Sequence, residues 1–295
     1  MRKLPVTAAE GLLELVIGAT MDTPRRLTND GVHSDTPTML PRLITIPFSH
    51  YCEKARWALD RRGVAFVEEA HLPVLHTRAT RAVGGRSTPL LVIDDGGQQR
   101  SLTDSTDILR YADAAGTRGE RLFPPADSVV GGEVAALEDR FDEALGPHAR
   151  RLAYFFLLDD GPAMRQLLKR AAVPAFERAL ALSALPLVKL MLRRGLTISA
   201  DGAARSRVRL EEVFADVDAR LADGRRFLVG DRFTAADLSF AALASPLVMP
   251  PACERYLLPL TAFGEPFRRS VDQWRATRAG AFAMAMFDSE RTATP

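Results

Sequence analysis

Cysteine, long apolar runs and a surplus of charge of either sign are all scarce in this sequence of 295 residues. Its two cysteines, Cys52 and Cys253, lie far apart, which argues against a disulfide framework and predicts a reducing, cytoplasmic setting. No apolar run reaches the ~18–20 residues that span a bilayer. A net charge of +2 gives no reason to expect a nucleic-acid partner. The composition is therefore that of an ordinary globular protein.

The length favours two compact domains over one, because single hydrophobic cores stop growing near ~250–300 residues. Gly and Pro are concentrated over 116–131, which indicates a linker. We therefore expect a mixed α/β domain over 39–115 and an all-helical domain over 132–295. The polar, breaker-rich residues 1–38 predict an N-terminal extension that is partly helical or disordered.

The first domain carries strand and helix signals in the order βαβ followed by ββα. The run RLITIP predicts a strand, a helix follows over about 51–62, and VAFVEEA predicts the next strand. One helix between two strands implies parallel pairing. PLLVID and QQRSL flank the turn signal DDGG at 94–97 and predict an antiparallel hairpin. With a final helix near Ser105, the pattern predicts a small mixed sheet with helices packed on it.

After the linker, strand signals vanish and helical periodicity replaces them. Long helical patterns cover roughly 132–158, 161–194, 204–223, 235–247 and 265–287. Pro174 and Pro186 divide the second pattern into shorter pieces. The second domain is therefore predicted to be a helical bundle.

The stretch IPFSHYC, residues 46–52, joins the first strand to the first helix. A helix N-terminus presents unsatisfied N–H groups and about half a positive charge, so it stabilises an anion such as a thiolate. A free thiol has a pKa near ~8.5, and a hydroxyl hydrogen bond worth ~1.5–3 kcal/mol lowers it by about one to two units. Ser49 can therefore donate a hydrogen bond to a sulfur that a substrate carries. The alternative is that Ser49 only caps the helix.

Two further stretches suit a peptide-like ligand. Thr88-Pro89 stands just before a strand. A cis peptide bond there would leave the Thr88 main chain free to pair with a ligand. An ordinary trans proline is the alternative. Asp104-Ser105 opens the next helix, where Ser105 and the helix-start N–H groups suit a carboxylate and Asp104 suits an ammonium. A plain helix cap is the alternative at this position.

Together, three stretches resemble the glutathione site of the cytosolic glutathione transferase family: SHYC at 49–52, Thr88-Pro89 and Asp104-Ser105. The resemblance implies a thioredoxin-like N-terminal domain followed by an all-α C-terminal domain. It also implies that Ser49 assists the glutathione thiolate, as in serine-type members. By the same resemblance, the Thr88 main chain pairs with the cysteinyl part of glutathione, while Asp104 and Ser105 hold the γ-glutamyl end.

The helical domain carries a second point of resemblance. FLVGDRFTAADLSFA, residues 227–241, is similar to the family's signature in a buried helix of the second domain. Thr234 and Asp237 have the spacing of a capping box, so both are predicted to be structural capping residues without a catalytic role.

Other positions of the site stay open at this stage. The residue that meets the glycyl carboxylate of glutathione has three basic candidates, His71, His76 and Arg86. Tyr51 and Tyr154 are candidates to line the electrophile pocket, which in this family lies between the domains.

Cys52 lies on the apolar face of the first helix and has two interpretations. It is either a small buried hydrophobe or a secondary thiol for glutathione-linked redox chemistry. The segment 159–203 is longer and more apolar than the family's usual helical domain. Four interpretations of this segment stay open: ordinary core helices, a roof over the second-substrate pocket, a dimer contact, or contact with a membrane surface.

The sequence thus predicts a glutathione transferase that activates the glutathione thiolate for attack on a small electrophilic, hydrophobic molecule. Conjugation, as in detoxification, is the default reaction, although reductive cleavage and isomerisation use the same sulfur. The alternatives are a non-catalytic binding protein with this fold, and a thiol-disulfide or reductive-cleavage enzyme that uses Cys52. Glutathione is the expected co-substrate and a homodimer the expected assembly. No metal is expected, since no metal-ligand spacing occurs in the sequence.

Overall fold

A four-stranded mixed sheet with helices packed on it forms the N-terminal domain of the structure, a computed structural model that describes residues 39–291. The strand order is β2-β1-β3-β4, with β1 and β2 parallel and the other two pairs antiparallel. The predicted order βαβ–ββα is confirmed, whereas the predicted extension over 1–38 lies outside the described residues. In chain order the elements are β1 (Arg42–Thr45), α1 (His50–Arg62), β2 (Val67–Ala70), α2 (His76–Ala82), β3 (Leu90–Asp95), β4 (Gln98–Leu102) and α3 (Ser105–Ala115).

The register of this sheet brings four chain segments to one edge. Ile44 in β1 pairs with Leu90, the first residue of β3, and Leu91 pairs with Leu102, the last residue of β4. Strand β2 runs parallel to β1 and ends beside it. The segments that follow β1, β2 and β4 therefore meet the segment that precedes β3. We call this edge of the sheet the site edge.

Helix α1 begins at the site edge and is fixed by burial of its apolar face. Ser49 caps its start, and Gly63 ends it in the left-handed conformation, with φ 70°, that glycine adopts readily. The predicted apolar face is completely buried, at Cys52, Ala55, Ala58 and Leu59. Because that face packs into the core, the N–H groups at the start of α1 have a fixed position.

Buried charges also fix α1 against the helical domain. Lys54 is completely buried, and its Nζ bonds to Glu138 and to both carboxylate oxygens of Asp142, the latter at 2.7 Å. Arg291 Nε donates to Glu53 at 2.7 Å. Burial alone would raise the pKa of Glu53, but Arg291 and neighbouring arginines outweigh it and lower that pKa below its ordinary value. Since buried charges are tolerated only when paired, these contacts specify one orientation of α1.

The helical domain contains nine α-helices within residues 39–291. They are α4 (Val129–Arg140), α5 (Gly146–Asp159), α6 (Gly161–Arg170), α7 (Ala175–Ser183), α8 (Leu185–Gly195), α9 (Ala200–Arg220), α10 (Ala235–Val248), α11 (Glu265–Arg275) and α12 (Arg278–Met286). A π-helical turn at Phe141–Leu145 joins α4 to α5, and a second one at Phe287–Arg291 follows α12. Short 3-10 helices cover Leu221–Asp223, Pro251–Arg255 and Leu260–Ala262. The predicted all-helical C-terminal architecture is thereby confirmed.

Several element boundaries differ from the predicted ones. Helix α4 begins at Val129, inside the predicted linker, because the side chain of Ser128 caps it. The pattern over 265–287 breaks at Thr277, which caps α12 in the same way. Strand β2 covers only the second half of its predicted run. The pattern over 161–194 divides near its two prolines into α6, α7 and α8, as predicted.

Helices α6 to α8 bury an apolar cluster separate from the main core. Leu72 of the N-terminal domain belongs to this cluster, and the half-buried side chains of Phe48 and Tyr154 pack against it. The apolar segment therefore covers the flank of the site edge next to Phe48. Within residues 39–291, no helix is both long and apolar enough to cross a membrane.

Candidate active site

Ser49 stands at the site edge, between the end of β1 and the start of α1. Its main chain is extended, with φ −81° and ψ 125°, and its hydroxyl oxygen accepts a hydrogen bond from Cys52 N at 3.4 Å. That contact is the helix cap. A hydroxyl has one donor hydrogen and two acceptor lone pairs, so the cap leaves the O–H hydrogen of Ser49 available to a ligand. The two interpretations of Ser49 are therefore compatible.

The thiol of Cys52 is completely buried beside Ser49. Burial raises the pKa of this thiol, against the positive charge of Arg56. The hydrogen bond from Ile46 N and the nearby hydroxyls of Ser49 and Thr88 also oppose the shift without reversing it. The thiol is therefore protonated at neutral pH and out of reach of a substrate. The same contacts place the Ser49 and Thr88 side chains together around one sulfur.

The peptide bond between Thr88 and Pro89 is cis, as the sequence analysis considered. Thr88 is half-buried and Pro89 is buried. The main-chain N–H and C=O of Thr88 make no hydrogen bond with any of residues 39–291. The Thr88 main chain therefore keeps both of its hydrogen-bonding groups for a ligand that lies along the site edge.

Asp104 and Ser105 follow β4 at the same edge, but only Asp104 faces solvent. Its carboxylate caps α3 by accepting a bond from Thr106 N at 2.8 Å, which leaves the other carboxylate oxygen open. Ser105 is buried, and its hydroxyl lies 3.5 Å from Asp142, within the Lys54 network. The hydroxyl of Ser105 is therefore turned into the protein, and the polar groups that stay open at this point are Asp104 and the N–H groups of the helix start.

His71 follows β2 at the site edge, where both of its ring nitrogens are occupied. Nδ1 lies 2.6 Å from Glu177 Oε1, and Nε2 lies 2.9 Å from Glu69 Oε1. Burial opposes protonation of His71, but the two carboxylates outweigh it and raise the pKa of the imidazole. Glu177 is buried at the start of α7 and also accepts a bond from Leu72 N at 2.9 Å. His71 thus ties α7 to the sheet and is not available to a glycyl carboxylate.

The other two basic candidates lie between β2 and β3. His76 is in α2, and burial lowers the pKa of its ring. A bond to Leu72 opposes this shift, whereas the charge of His71 adds to it. His76 is therefore neutral at pH 7. Arg86 is exposed, two residues before Thr88. Of the three candidates, Arg86 presents a permanent charge to solvent beside the Thr88 main chain.

His50 and Tyr51 hold the start of α1 against α5. The hydroxyl of Tyr51 donates to the main-chain oxygen of Asp142 at 2.8 Å, and burial raises its pKa. His50 Nε2 lies 3.0 Å from Gly146 O, and because a carbonyl can only accept, that nitrogen carries the proton. Burial lowers the pKa of His50 to about 3. A Cβ at Gly146 would collide with the Tyr51 hydroxyl, so this close contact requires glycine. The hydroxyl of Tyr51 is engaged between helices instead of being open to an electrophile.

Tyr154 lies on α5 and is electrostatically coupled to the corner around Cys52. Burial raises the pKa of Tyr154 to about 12, the charge of Arg150 opposes this, and Cys52 adds to it. Arg150 also acts on His50 and Tyr51. No motif in the sequence predicts a role for Arg150. Its spacing of one helical turn from Tyr154 was the available signal.

The candidate site at the site edge is separate from a surface cavity on the other side of α3. That cavity, of about 490 Å³, is lined mainly by residues of α3 and of 121–126, among them Arg110 and Phe123, and by none of the predicted site residues. Among residues 39–291, no group of three or more His, Cys, Asp or Glu side chains is arranged to hold a metal ion.

A sheet domain of this topology, joined to an all-helical domain and carrying a serine at the β1–α1 corner, defines a glutathione-transferase-like protein. Comparison with protein families agrees. The model described as "Glutathione S-transferase, N-terminal domain" matches residues 43–117, and the one described as "Glutathione S-transferase, C-terminal domain" matches residues 200–278. The chain belongs to the glutathione S-transferase family, as its motifs predict.

Solved structures share the fold at low sequence identity. The β-etherase LigF from Sphingobium sp. strain SYK-6 is 18% identical with a TM-score of 0.53, over 84% of this chain and 99% of that one. A glutathione S-transferase from Xanthobacter autotrophicus Py2 is 20% identical with a TM-score of 0.47, over 81% of this chain and 94% of that one. No curated protein matches the sequence significantly. The likeness to LigF establishes the fold alone.

Proposed function

We propose that this protein is a glutathione-dependent transferase whose Ser49 hydroxyl stabilises the glutathione thiolate for attack on a small electrophile. The observation that carries the proposal is the convergence of Ser49, Thr88 and Asp104 at one edge of the sheet. Membership of the glutathione S-transferase family supports glutathione as the co-substrate.

Each part of glutathione has a chemically matched group at the site edge. The main-chain N–H and C=O of Thr88 suit the cysteinyl residue, which would lie along them as an added strand. The exposed carboxylate of Asp104 suits the γ-glutamyl ammonium, and the N–H groups at the start of α3 suit the γ-glutamyl carboxylate. Arg86 is the candidate for the glycyl carboxylate.

The proposed reaction consists of an ionisation followed by an attack. The thiol proton of glutathione passes to solvent, and the sulfur remains as a thiolate beside the Ser49 hydroxyl and the start of α1. The thiolate then forms a C–S bond with an electrophilic carbon, and in a substitution the leaving group departs with its bonding electron pair. Stabilising the negative sulfur and holding both reactants together supply the rate gain.

The structure disfavours the alternative in which Cys52 carries the chemistry. A buried thiol with a raised pKa is a poor nucleophile and a poor redox partner. The hydrophobic electrophile, the homodimer and the cytoplasmic setting stay predictions. Reductive cleavage and isomerisation would use the same glutathione sulfur and the same Ser49.

Ultraviolet titration of bound glutathione tests the role of Ser49. The wild-type protein should lower the pKa of the bound thiol by about one to two units relative to free glutathione, since a hydrogen bond to a charged group is worth ~1.5–3 kcal/mol. Ser49→Ala should remove most of this shift. It should also lower kcat/KM with an activated aryl chloride about ten- to a hundredfold.

Ser87→Ala is the matched control, because Ser87 is exposed and adjacent to Thr88. It should leave both the thiol pKa and the turnover unchanged. Bound glutathione that ionises no more readily than free glutathione contradicts the proposal. Retention on immobilised glutathione without turnover would favour the non-catalytic alternative. Loss of activity in Cys52→Ala, with activity retained in Ser49→Ala, would favour the Cys52 alternative.

A further inference from the structure

Arg150 lies on the face of α5 that is held against the start of α1. Gly146 is fixed to α1 through its main-chain oxygen, which lies 3.0 Å from His50 Nε2. Arg150 follows one helical turn later and Tyr154 one turn later again, so all three share one helix face. The side chain at position 150 therefore stands between the β1–α1 corner and Tyr154.

The guanidinium of Arg150 makes no hydrogen bond or ion pair with any of residues 39–291, although the residue is half-buried. Its neighbour Arg151 is different, since it donates to Ser206 Oγ at 2.9 Å and to Leu196 O at 3.3 Å. Of the two acidic side chains in the turn before α5, Glu143 is exposed and Asp142 lies 2.7 Å from Lys54, whose charge it shares with Glu138.

The three ring groups on which Arg150 acts are uncharged, although the carboxylates of Asp142 and Asp104 also act on Tyr51. His50 is an uncharged donor to Gly146 O, and the hydroxyls of Tyr51 and Tyr154 stay protonated at neutral pH. A partly desolvated guanidinium without a counter-ion favours binding of an anion, and its planar fork matches a carboxylate. The vacant partner position at Arg150 is therefore suited to an anion from a ligand.

We propose that Arg150 binds a carboxylate on the electrophilic co-substrate, with Tyr154 one helical turn away on the same face of α5. This inference rests on the proposed function and specifies its substrate class: an acidic electrophile in place of a neutral hydrophobic one. The carboxylates of glutathione itself have other matched groups, at the start of α3 and at Arg86 on the sheet side. Arg150 lies on α5 of the helical domain, whereas these matched groups lie on the sheet domain.

A pair of glutathione conjugates that differ in one charge tests this proposal without turnover. The probes are S-(4-carboxy-2,6-dinitrophenyl)glutathione and its carboxamide analogue, and calorimetry measures their affinities. The wild-type protein should bind the carboxylate at least about tenfold more tightly, as expected for one charge-assisted hydrogen-bonded pair. Arg150→Met should abolish that preference and leave the affinity for glutathione unchanged. Arg150→Lys should restore part of the preference, since it restores the charge without the fork.

Turnover gives the parallel kinetic readout. With 4-chloro-3,5-dinitrobenzoate, the glutathione sulfur bonds to the chlorine-bearing carbon and chloride leaves with the electron pair of the C–Cl bond. Arg150→Met should raise KM for this substrate about tenfold and should spare the carboxamide analogue. Arg205→Met, a change at an exposed arginine of α9, is the control and should alter neither value.

The outcomes separate this inference from the proposed function. Equal wild-type affinity for the two conjugates overturns the inference while Ser49-dependent ionisation of glutathione still stands. A raised KM for glutathione with both electrophiles in Arg150→Met also overturns it, because Arg150 would then hold a carboxylate of glutathione. A protein that binds neither conjugate and does not shift the thiol pKa overturns both proposals.

Discussion

Two helix starts in this protein use similar capping residues and differ in the hydrogen-bonding capacity that they leave unused. At the start of α10, Asp237 Oδ2 accepts bonds from the main-chain N and the hydroxyl of Thr234, both at 2.8 Å. Its Oδ1 accepts a third bond from Leu228 N at 2.7 Å, and the whole arrangement is buried. At the start of α1, Ser49 is half-buried and has one long cap bond of 3.4 Å.

Under the proposed function, this difference separates a folding role at α10 from a binding role at α1. The polar groups at the start of α10 satisfy one another, so they stabilise the fold and have nothing to offer a ligand. Ser49 retains a donor hydrogen beside an unpaired Thr88 main chain. Residue type alone does not distinguish the two starts, because both carry a hydroxyl cap. What distinguishes them is how many partners the surrounding chain supplies.

Asp237→Ala should have the largest effect on stability. It leaves two buried N–H groups and one hydroxyl without an acceptor, which should lower the free energy of unfolding by about 3–5 kcal/mol. Urea denaturation at pH 7 measures this. The pKa of bound glutathione should not change in the molecules that remain folded, because Asp237 lies in the core of the helical domain.

Ser49→Ala should have the opposite pattern of effects, with a small change in stability and a large change in the bound thiol. Losing one long cap bond should cost only about 0.5–1 kcal/mol in the same denaturation experiment. The shift of the bound thiol pKa should nevertheless disappear. If Ser49→Ala destabilises the protein as much as Asp237→Ala does, the distinction between the two helix starts is wrong.

Gly146→Ala should have an intermediate effect that is concentrated at the α1 corner. The added Cβ would collide with the Tyr51 hydroxyl, so α5 and the start of α1 must separate. We expect a loss of about 1–3 kcal/mol of stability and weaker glutathione binding. Isothermal calorimetry and urea denaturation measure the two effects.

Gly132→Ala is the matched control for this change. Gly132 is exposed within α4, and a Cβ there meets no atom within 4 Å. Alanine should therefore raise the stability by about 0.5–1 kcal/mol through its helix propensity. A Gly146→Ala variant that behaves in the same way would contradict the close packing of Tyr51 against α5.

Local signals allowed much of this structure to be predicted. Strands β3 and β4 are predictable because two apolar runs flank a DDGG turn, and the α10 start is predictable because a capping box needs only four consecutive residues. Family motifs placed Ser49 and Asp104 at one site. These features depend on neighbours in the chain, and a sequence displays them directly.

Features that depend on distant partners could not be predicted in the same way. Glu177 meets His71 only because α7 folds back on the end of β2, and a sequence does not display that contact. The hydroxyl of Ser105 was expected to face a ligand, yet the Lys54 network turns it inward. Arg150 was missed because an unpaired arginine is conspicuous only when the partners of the other arginines are known.

Glu177, at the start of α7, provides a third and smaller test. Its carboxylate pairs with His71 of the sheet domain. Charged His71 bonds to Glu177 and Glu69, and its folded pKa is raised above the unfolded value near ~6.5. This contribution to stability is therefore fully present below about pH 6.5 and is lost as pH rises through the folded pKa. The glutamine of His71→Gln still donates to Glu177 but does not titrate. The variant should therefore lose this pH dependence, and its free energy of unfolding at low pH should be lower by about 1 kcal/mol.

His148 provides the control of opposite sign. Burial lowers the pKa of His148, and the charges of Arg151 and Arg209 add to the effect. The contribution of His148 to the stability of the fold is therefore present above its unfolded pKa and is lost as pH falls through its folded pKa. Denaturation series between pH 5 and pH 9 should therefore give difference curves of opposite slope for His71→Gln and His148→Gln. Curves of the same slope would mean that the carboxylates of Glu177 and Glu69 do not hold the proton of His71.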